Sequence, residues 1–366
     1  MPLDPRTGTV ELTVVVPTFN ERENVEPLLA KLAEALSGIA WECIFVDDDS
    51  PDGTADAIRS IARADPRVRC LHRIGRRGLS TAVIEGIQSS SAPYIAVIDA
   101  DLQHDETLLP RMLESIKAEG VDIVIGSRHV AGGGVGDWDK SRVAMSGFAA
   151  RLARLVVSAE LADPMSGFFL MTRGAFEGAV RRLSGQGFKI LLDLFASTPT
   201  PFRFKELPYT FRPRQRGESK LDTFVAWEYL MLLLDKLIGH IVPVRFVLFG
   251  TVGASGVVVH LATLRLMLTG ANFTTAQATA TVVAMTSNFV LNNLLTYRDK
   301  RLRGWRFFTG LLSLYAVCAI GAVAIVGIAS AAFARNYSWW VSGLAGAAVG
   351  VVWNYAVSAV FTWRHR

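Results

Sequence analysis

Two carboxylates one residue apart, Asp99 and Asp101, follow the apolar run at residues 94–98. Such a run predicts a buried strand. At the carboxyl end of a parallel strand, paired carboxylates can hold Mg²⁺ or Mn²⁺ through hard oxygen ligands, while a diphosphate fills the remaining coordination positions. A D-x-D pair is common, however, and an acidic turn facing solvent is the other interpretation. The motifs that surround the pair decide between the two.

Short β-branched runs at residues 14–16, 44–47 and 123–126 alternate with helix-patterned stretches. This alternation predicts an α/β fold with a mostly parallel sheet, helices on both faces, and ligands at the carboxyl ends of the strands. Taken singly, Asn20 could cap a helix and residues 49–53 could form an ordinary turn. The acidic clusters at 17–21, 47–54 and 99–103 would repel one another at one edge of the sheet unless a cation or a hydroxyl-rich ligand bound there. Together they therefore predict one ligand site.

The composition changes near Pro243. Before it there are 28 Lys and Arg against 32 Asp and Glu, and after it 10 against 1, so the basic balance belongs to the second part. Two uncharged stretches of 28 residues lie between Arg306 and Arg335 and between Arg335 and Arg364. Each exceeds the ~20 apolar residues that cross a bilayer.

We predict four membrane spans, at about residues 246–268, 275–296, 307–331 and 339–362. The joint at 297–306 is strongly basic and the joint near 270–272 is uncharged, which places the basic joint and both chain ends in the cytoplasm. The first residues lack the basic and apolar regions of a signal peptide, so we expect the first 240 residues to stay in the cytosol, on an integral protein of the cytoplasmic membrane. Cys43, Cys70 and Cys318 have no metal-ligand spacing and receive no function.

Six ordered motifs carry a resemblance to a known family. They lie at residues 16–21, 46–54, 99–104, 126–128, 163–168 and 216–221. Over residues 12–237 the chain resembles the family 2 glycosyltransferases, most closely the polyprenyl-phosphate sugar transferases of the dolichyl-phosphate mannose synthase type. The resemblance implies a Rossmann-like GT-A catalytic domain at residues 1–220. The amphipathic pattern at 221–238 predicts an interfacial helix within a helix and linker at 221–243, and the four spans predict an all-α transmembrane domain of four helices at 244–366.

The resemblance also assigns roles to residues. The metal, Mg²⁺ or Mn²⁺, would be held by Asp99, Asp101 and Gln103. The nucleotide-sugar donor would be bound by residues from the strand ends and from a basic loop, namely Pro17, Thr18, Asn20, Glu21, Val46, Asp47, Asp49, Asp99, Ala100, Asp101, Gln103, Arg214 and Lys220.

The acceptor implied by the resemblance is a polyprenyl or dolichyl phosphate. Arg128, Arg142 and Ser146 would bind its phosphate, and Asp101 and Arg128 are the catalytic candidates. A phosphate monoester is largely dianionic at pH 7, so it can attack the sugar directly without a general base. The basic loop at 212–220 is either a solvated or lipid-facing surface or a lid over the diphosphate.

The second part of the chain resembles the GtrA-like four-span membrane domain, through residues 246–250 and 288–292. Asn288 and Asn292 lie four residues apart, so they share one helix face. Helix packing is the favoured role for this pair, with hydrogen bonding across helices as the alternative.

GDP-mannose is the expected donor, and UDP-glucose is the alternative. In the family pattern an Arg often follows Ser-Gly-Phe, and here Phe169 takes that place. A processive polysaccharide synthase would carry Q-x-x-R-W, which this sequence lacks. A carrier component that binds a nucleotide sugar without turnover remains a second class of function. Membrane lipid is an expected partner, nucleic acid is not, and a homo-oligomer is left open.

Overall fold

The computed structural model of the protein describes residues 9–136, 140–157, 159–185, 187–213, 223–238, 244–297, 301–335 and 337–344. The contacts divide the chain into two compact units, residues 1–240 and 241–366. The first unit is an α/β domain and the second is helical.

Among the described residues, the first unit contains a seven-stranded sheet and eight α-helices. The strands are β1 (Leu12–Thr18), β2 (Trp41–Asp47), β3 (Val68–His72), β4 (Tyr94–Val97), β5 (Ile123–Ser127), β6 (Phe169–Thr172) and β7 (Phe204–Pro208). The helices are α1 (Arg22–Ala35), α2 (Thr54–Ala64), α3 (Leu79–Gln88), α4 (Leu109–Glu119), α5 (Lys140–Ala153), α6 (Arg173–Ala179), α7 (Ile190–Ser197) and α8 (Thr223–Ile238). Short 3₁₀ turns occupy Glu106–Leu108 and Val180–Arg182.

The strand order is β3-β2-β1-β4-β6-β5-β7. Only β6 pairs antiparallel with its neighbours, so the other six strands end at one edge of the sheet, and we call this the carboxyl edge. The reversal of β6 brings its beginning, and the segment before it, to the same edge. The mostly parallel α/β sheet expected from the sequence is therefore confirmed, although β3, β6 and β7 were not predicted.

The alternation of side chains along the strands builds two apolar layers. In β1, Val14 and Val16 face a layer that includes α1, α2 and α4, whereas Val15 faces the layer that contains α3, α6, α7 and α8. Because both faces of the sheet are covered, the central strands are apolar almost throughout. The polar residues are consequently displaced to the strand ends.

Helix α8 packs on the first unit through one face. Leu232 and Leu233 are buried in the second apolar layer, and Lys236 Nζ donates to Ser197 Oγ at 2.8 Å. Leu230 and Leu237 remain exposed. The predicted interfacial segment 221–243 is described over residues 223–238. Its exposed leucines lie away from the face that packs on the first unit, and an interfacial helix needs apolar side chains on such an exposed face.

The second unit contains long helices at the first three predicted spans. They are α9 (Val244–Met267), α10 (Phe273–Leu291), which continues as a π-helical turn at Asn292–Thr296, and α11 (Trp305–Ala334). A short helical segment at 339–344 begins the fourth predicted span, and the remainder of that span lies outside the described residues.

Large apolar side chains are exposed on this unit, among them Val258, Leu266, Phe308 and Leu312. Exposed apolar surface of this extent is typical of proteins that contact a membrane or a partner. Within the described ranges, one helical stretch, Val247–Met267, is by length and composition able to cross a bilayer.

The two asparagines of α10 and its π-helical turn have separate partners. The amide of Asn288 packs against Gly256 of α9, where a Cβ would lie 2.4 Å from Asn288 Nδ2. Asn292 Oδ1 instead accepts from Thr296 Oγ1 at 2.7 Å within its own turn. The missing side chain of Gly256 therefore makes room for the Asn288 amide between α9 and α10, and the packing role of Asn288 stays a prediction.

Gly86 of α3 allows that helix to lie directly on the sheet. A Cβ at this position would lie 2.5 Å from Val15 Cγ1 and 2.9 Å from Val46 Cγ2, both in strands. We expect Gly86→Ala to destabilise the protein by about 1–3 kcal/mol, because the added methyl group overpacks the layer. The measurement is thermal unfolding of the detergent-solubilised full chain.

Gly178 of α6 is the matched control, since a Cβ there would meet no atom within 4 Å. We expect Gly178→Ala to leave the unfolding temperature unchanged or to raise it, because alanine favours helix. Equal losses in the two variants would contradict the packing argument.

Candidate active site at the carboxyl edge

The loops after β1 and β2 bond to each other through backbone N–H groups and short side chains. Asn20 N–H donates to Ser50 Oγ at 2.9 Å, and Glu21 N–H donates to Thr54 Oγ1 at 3.1 Å. Asn20 and Asp49 both have positive φ, at 56° and 57°, and Asn and Asp tolerate that region better than most residues. The structure thus brings the first two predicted motifs together as one assembly.

The three consecutive aspartates at the end of β2, Asp47 to Asp49, have different roles. Asp47 is fully buried, and its carboxylate accepts from Ser50 N–H at 3.0 Å and Ser50 Oγ at 2.6 Å. Asp48 pairs with Arg73 Nη1 at 2.5 Å. Asp49 faces solvent and accepts from Gly75 N–H at 3.1 Å. Of the two aspartates predicted to bind the donor, Asp47 therefore shapes the loop, and Asp49 is the one whose carboxylate is open to solvent.

The pKa values of these carboxyls follow their surroundings. Burial raises the pKa of Asp48 above its ordinary value, although the Gly78 N–H and the Arg73 charge act in the opposite direction. The hydrogen bond from Gly75 N–H, followed by that from His72, lowers the pKa of Asp49. Asp49 is therefore a carboxylate at neutral pH.

The loop from Arg73 to Gly78 was missed by the sequence analysis. It follows β3 and is fixed to the acidic loop, because Gly75 N–H donates to Asp49 and Gly78 N–H donates to Asp48 at 2.7 Å. In the sequence, the glycines on either side of Arg76 and Arg77 could have indicated this loop, and both have positive φ in the structure. This loop adds positive charge beside the second predicted motif.

The D-x-D segment lies beyond the end of β4. The Asp99 carboxylate is 35% exposed, while Asp101 is buried and its Oδ1 accepts from Gln103 N–H at 3.2 Å. The Gln103 side chain donates through Nε2 to the Arg212 carbonyl at 3.0 Å. A Cβ on Gly167 would lie 2.9 Å from Asp99 Oδ2, so a larger residue at position 167 would displace that carboxylate.

These residues suit a divalent cation that is shared with a substrate. Two carboxylates follow one strand, and the absent side chain of Gly167 keeps a space next to one of them. In the part of the chain that the structure describes, no three His, Cys, Asp or Glu side chains are grouped to hold a metal by themselves. A Mg²⁺-type site commonly takes one or two carboxylates and obtains its other ligands from substrate phosphates and water.

Arg128, predicted to bind the acceptor phosphate, lies at the end of β5 in a buried ion pair. Its Nε and Nη2 donate to the two Asp163 carboxylate oxygens at 2.7 Å each, and its N–H donates to Asp163 Oδ2 at 3.1 Å. Burial would raise the pKa of Asp163, but the hydrogen bonds and charge of Arg128 outweigh it and lower that pKa. Asp163 belongs to a predicted motif, yet its pairing with Arg128 was not foreseen.

The remaining predicted residues are only partly described. Ser146 lies half-buried on α5, and the side chain of Arg142 on the same helix is outside the described side chains. Arg214 and Lys220 are also outside the described residues. Phe169, which takes the place of an Arg in the family pattern, is fully buried in β6.

The first residue of the predicted basic loop, Arg212, is anchored to the D-x-D segment. Arg212 Nη1 pairs with Glu106 at 2.6 Å and its Nη2 pairs with Asp105 at 2.8 Å, while Arg212 N–H donates to the Gln103 carbonyl at 2.8 Å. The basic loop therefore starts beside Gln103.

Comparisons with known proteins identify the family of this chain. The profile of Glycosyl transferase family 2 matches residues 13–179, and that of the GtrA/DPMS transmembrane domain matches residues 248–363. A dolichol-phosphate mannosyltransferase of Pyrococcus furiosus is 34% identical over 97% of this chain and 99% of its own length. This protein belongs to the dolichol-phosphate mannosyltransferase family. It is a glycosyltransferase with a membrane domain of the GtrA/DPMS type.

Other members of the dolichol-phosphate mannosyltransferase family align with less of the chain. The protein from Saccharomyces cerevisiae is 36% identical over 62% of this chain and 87% of its own length. Among solved structures, glucosyl-3-phosphoglycerate synthase from Mycobacterium tuberculosis in complex with Mn²⁺ and UDP aligns with a TM-score of 0.45, at 19% identity over 63% of this chain and 81% of that one.

The buried pair of Arg128 and Asp163 yields a stability prediction. Asp163→Asn would leave Arg128 charged, buried and without its counter-ion, so we expect a loss of about 3–5 kcal/mol at pH 7. Since the folded-state pKa of Asp163 is depressed, its stabilising effect is complete above the ordinary value of about 3.9 and is lost as the pH falls through that value and the lower folded one. Unfolding of the full chain, followed at pH 7 and at about pH 2.5, measures both effects.

Arg203 and Asp122 provide the matched control, because the same three donors, N–H, Nε and Nη2, bond to one carboxylate. The difference is exposure, since the side chain of Arg203 is 70% exposed. We expect Asp122→Asn to have a much smaller effect, because water and salt screen exposed pairs. Similar losses in the two variants would rule out burial as the cause.

Proposed function

We propose that this protein transfers mannose from GDP-mannose to a polyprenyl phosphate of the dolichyl type, with inversion at the sugar carbon and with Mg²⁺ or Mn²⁺ as cofactor. The observation that carries the proposal is the Asp99 and Asp101 pair, with Gly167 leaving room for the Asp99 carboxylate, in a chain that aligns over 97% of its length with a dolichol-phosphate mannosyltransferase. The acidic edge suits a metal-bound diphosphate, and the membrane domain suits a lipid acceptor.

The donor would lie across the carboxyl edge. The solvent-facing carboxylate of Asp49 and the residues around Asn20 are suited to the hydroxyl and N–H groups of a nucleoside. Asp99, Asp101 and Gln103 would hold the metal ion, which when bound offsets the negative charge on the departing diphosphate. Arg214 and Lys220, from the loop that starts next to Arg212, would supply further positive charge over the same diphosphate.

The acceptor phosphate would be bound by Arg128, Arg142 and Ser146. Asp163 holds the Arg128 guanidinium in one orientation, so its charge is fixed at the end of β5 before any substrate arrives. A fixed charge costs little reorganisation when a phosphate binds. Arg142 and Ser146 lie four residues apart on α5, which places them on one helix face.

The reaction needs no general base. An oxygen of the acceptor phosphate forms a bond to the sugar C1, while the bond from C1 to the donor β-phosphate oxygen breaks and GDP leaves with that electron pair. The dianionic acceptor carries no proton that must be removed. Both ring nitrogens of His104 and of His72 already have partners, which agrees with a mechanism that uses neither as a base.

In the cell, we propose that the catalytic unit and both chain ends lie in the cytoplasm, where nucleotide sugars are available. The basic residues between the second and third predicted spans favour this orientation. The exposed Leu230 and Leu237 of α8 support contact with the membrane surface.

Transfer from labelled GDP-mannose to polyprenyl phosphate by the solubilised full chain tests the activity. We expect a mannolipid with Mg²⁺ or Mn²⁺, and we expect Asp101→Asn to reduce the rate by at least about 100-fold, the scale on which one preorganised electrostatic contact contributes. Asp122→Asn, at the far end of the sheet, should retain the activity. UDP-glucose is assayed in parallel.

Glucolipid in place of mannolipid would overturn the donor assignment and retain the transferase. Binding of GDP-mannose with no lipid product from either sugar would overturn the transferase and favour the carrier class. Full activity in EDTA would overturn the metal dependence.

The stereochemistry is a separate prediction. A single in-line attack inverts C1, so an α-linked donor should give a β-linked mannosyl phosphate. The one-bond C1–H1 coupling constant of the purified product, measured by NMR, distinguishes the two anomers. An α-linked product would contradict a single in-line attack.

A further inference from the structure

His104 is a buried histidine at the candidate active site, and the mechanism proposed above assigns it no role. It lies three residues after Asp101 and is 3% exposed. Its ring is surrounded by aromatic rings, with centroids 5.3 Å from Phe168, 5.7 Å from Tyr209 and 5.4 Å from Phe211. Because this enclosure prevents large rotation, the two ring nitrogens have fixed positions.

Both nitrogens are engaged, and by groups of different kinds. His104 Nε2 is 3.1 Å from Asp99 Oδ2, and His104 Nδ1 is 2.8 Å from the Tyr209 hydroxyl. An ionised carboxylate only accepts hydrogen bonds, so Nε2 must carry the proton and donate it to Asp99. In the neutral ring Nδ1 is then the acceptor, and the Tyr209 hydroxyl donates to it.

Tyr209 is itself held by backbone hydrogen bonds. Its N–H donates to the Ser127 carbonyl at 3.2 Å, and its carbonyl accepts from Gly134 N–H at 3.1 Å. Burial raises the pKa of the Tyr209 hydroxyl, so it keeps its proton and remains a donor at neutral pH. A continuous, one-directional set of hydrogen bonds therefore runs from the end of β7 to Asp99.

The last bond of the set determines how Asp99 is presented. Oδ2 is directed toward His104 on the side where Gly167 has no side chain, and this fixes the plane of the carboxylate. Ligand side chains that are oriented in advance bind metal ions more tightly, and loss of the orienting partner typically costs 10- to 100-fold in affinity.

We propose that Tyr209 and His104 are positioning residues, whose hydrogen bonds hold the Asp99 carboxylate in the orientation that receives the divalent metal ion. This inference rests on the proposed metal dependence. It predicts an effect on metal affinity that is separate from any effect on folding or on the acceptor.

The experiment measures Mn²⁺ binding to the full chain by electron paramagnetic resonance in the presence of GDP, without turnover. We expect Tyr209→Phe to raise the Kd for Mn²⁺ by about 10-fold, because the ring remains while the donor that fixes the His104 tautomer is lost. Tyr229→Phe is the matched control, since it also deletes a hydroxyl hydrogen bond, to the Ala149 carbonyl at 2.6 Å on α5. That control should leave the Kd unchanged.

Two substitutions at His104 separate positioning from packing. The amide N–H of Gln can take the place of Nε2–H and donate to Asp99, whereas the shorter Asn reaches only the Nδ1 position. We therefore expect His104→Gln to keep the Kd for Mn²⁺ within about threefold of wild type, and His104→Asn to raise it about 10-fold or more. Thermal unfolding of each variant is measured in parallel.

The outcomes distinguish the two claims. If the wild type does not bind Mn²⁺ with GDP, the proposed metal dependence fails. If the wild type binds Mn²⁺ and all four variants bind it equally well, the positioning role fails while the metal site stands. If His104→Gln and His104→Asn lose affinity equally and in proportion to their loss of thermal stability, His104 acts only through packing and the proposal is overturned.

Discussion

Repulsion among carboxylates is the constraint on which this catalytic unit depends. Six strands end at one edge, and the chain places an acidic residue at or just after several of these ends. Part of that charge is compensated in pairs, Asp48 with Arg73, Asp163 with Arg128, and Glu106 with Arg212. Asp99 and Asp101 add two further carboxylates to this edge, and a cation that comes with the substrate would offset their charge.

The compensating arginines also explain the rigidity of the edge. Each guanidinium bonds a carboxylate from another segment of the chain, so charge neutralisation and loop connection are the same interaction. Arg73, for instance, bonds both Asp48 and the Gly78 carbonyl, and so joins the loop after β3 to the loop after β2. Binding sites formed by loops reach useful precision when such contacts hold them.

The ends of the strands could be predicted from the sequence, but the ion pairs between distant residues could not. Runs such as 44–47 and 94–98 have a local signal, and the rule that parallel strands end together places the polar residues that follow them. Arg128 and Asp163 are 35 residues apart, and no local pattern reports their contact. The reversed strand β6 was equally hidden, because an apolar four-residue strand has the same composition in either direction. For this reason the buried state of Arg128 and Asp47, and the part played by His104, emerge only from the structure.

The anchoring of residues 209–212 has a consequence for protein engineering. Arg212 holds one end of the stretch 213–222 to the D-x-D segment, while Tyr229, Leu232 and Lys236 hold the helix that follows it to the same unit. Both borders of residues 214–222 are therefore fixed by contacts among the described residues of the first unit. A segment exchanged between Pro213 and Thr223 would be joined to positions that the rest of the unit already holds.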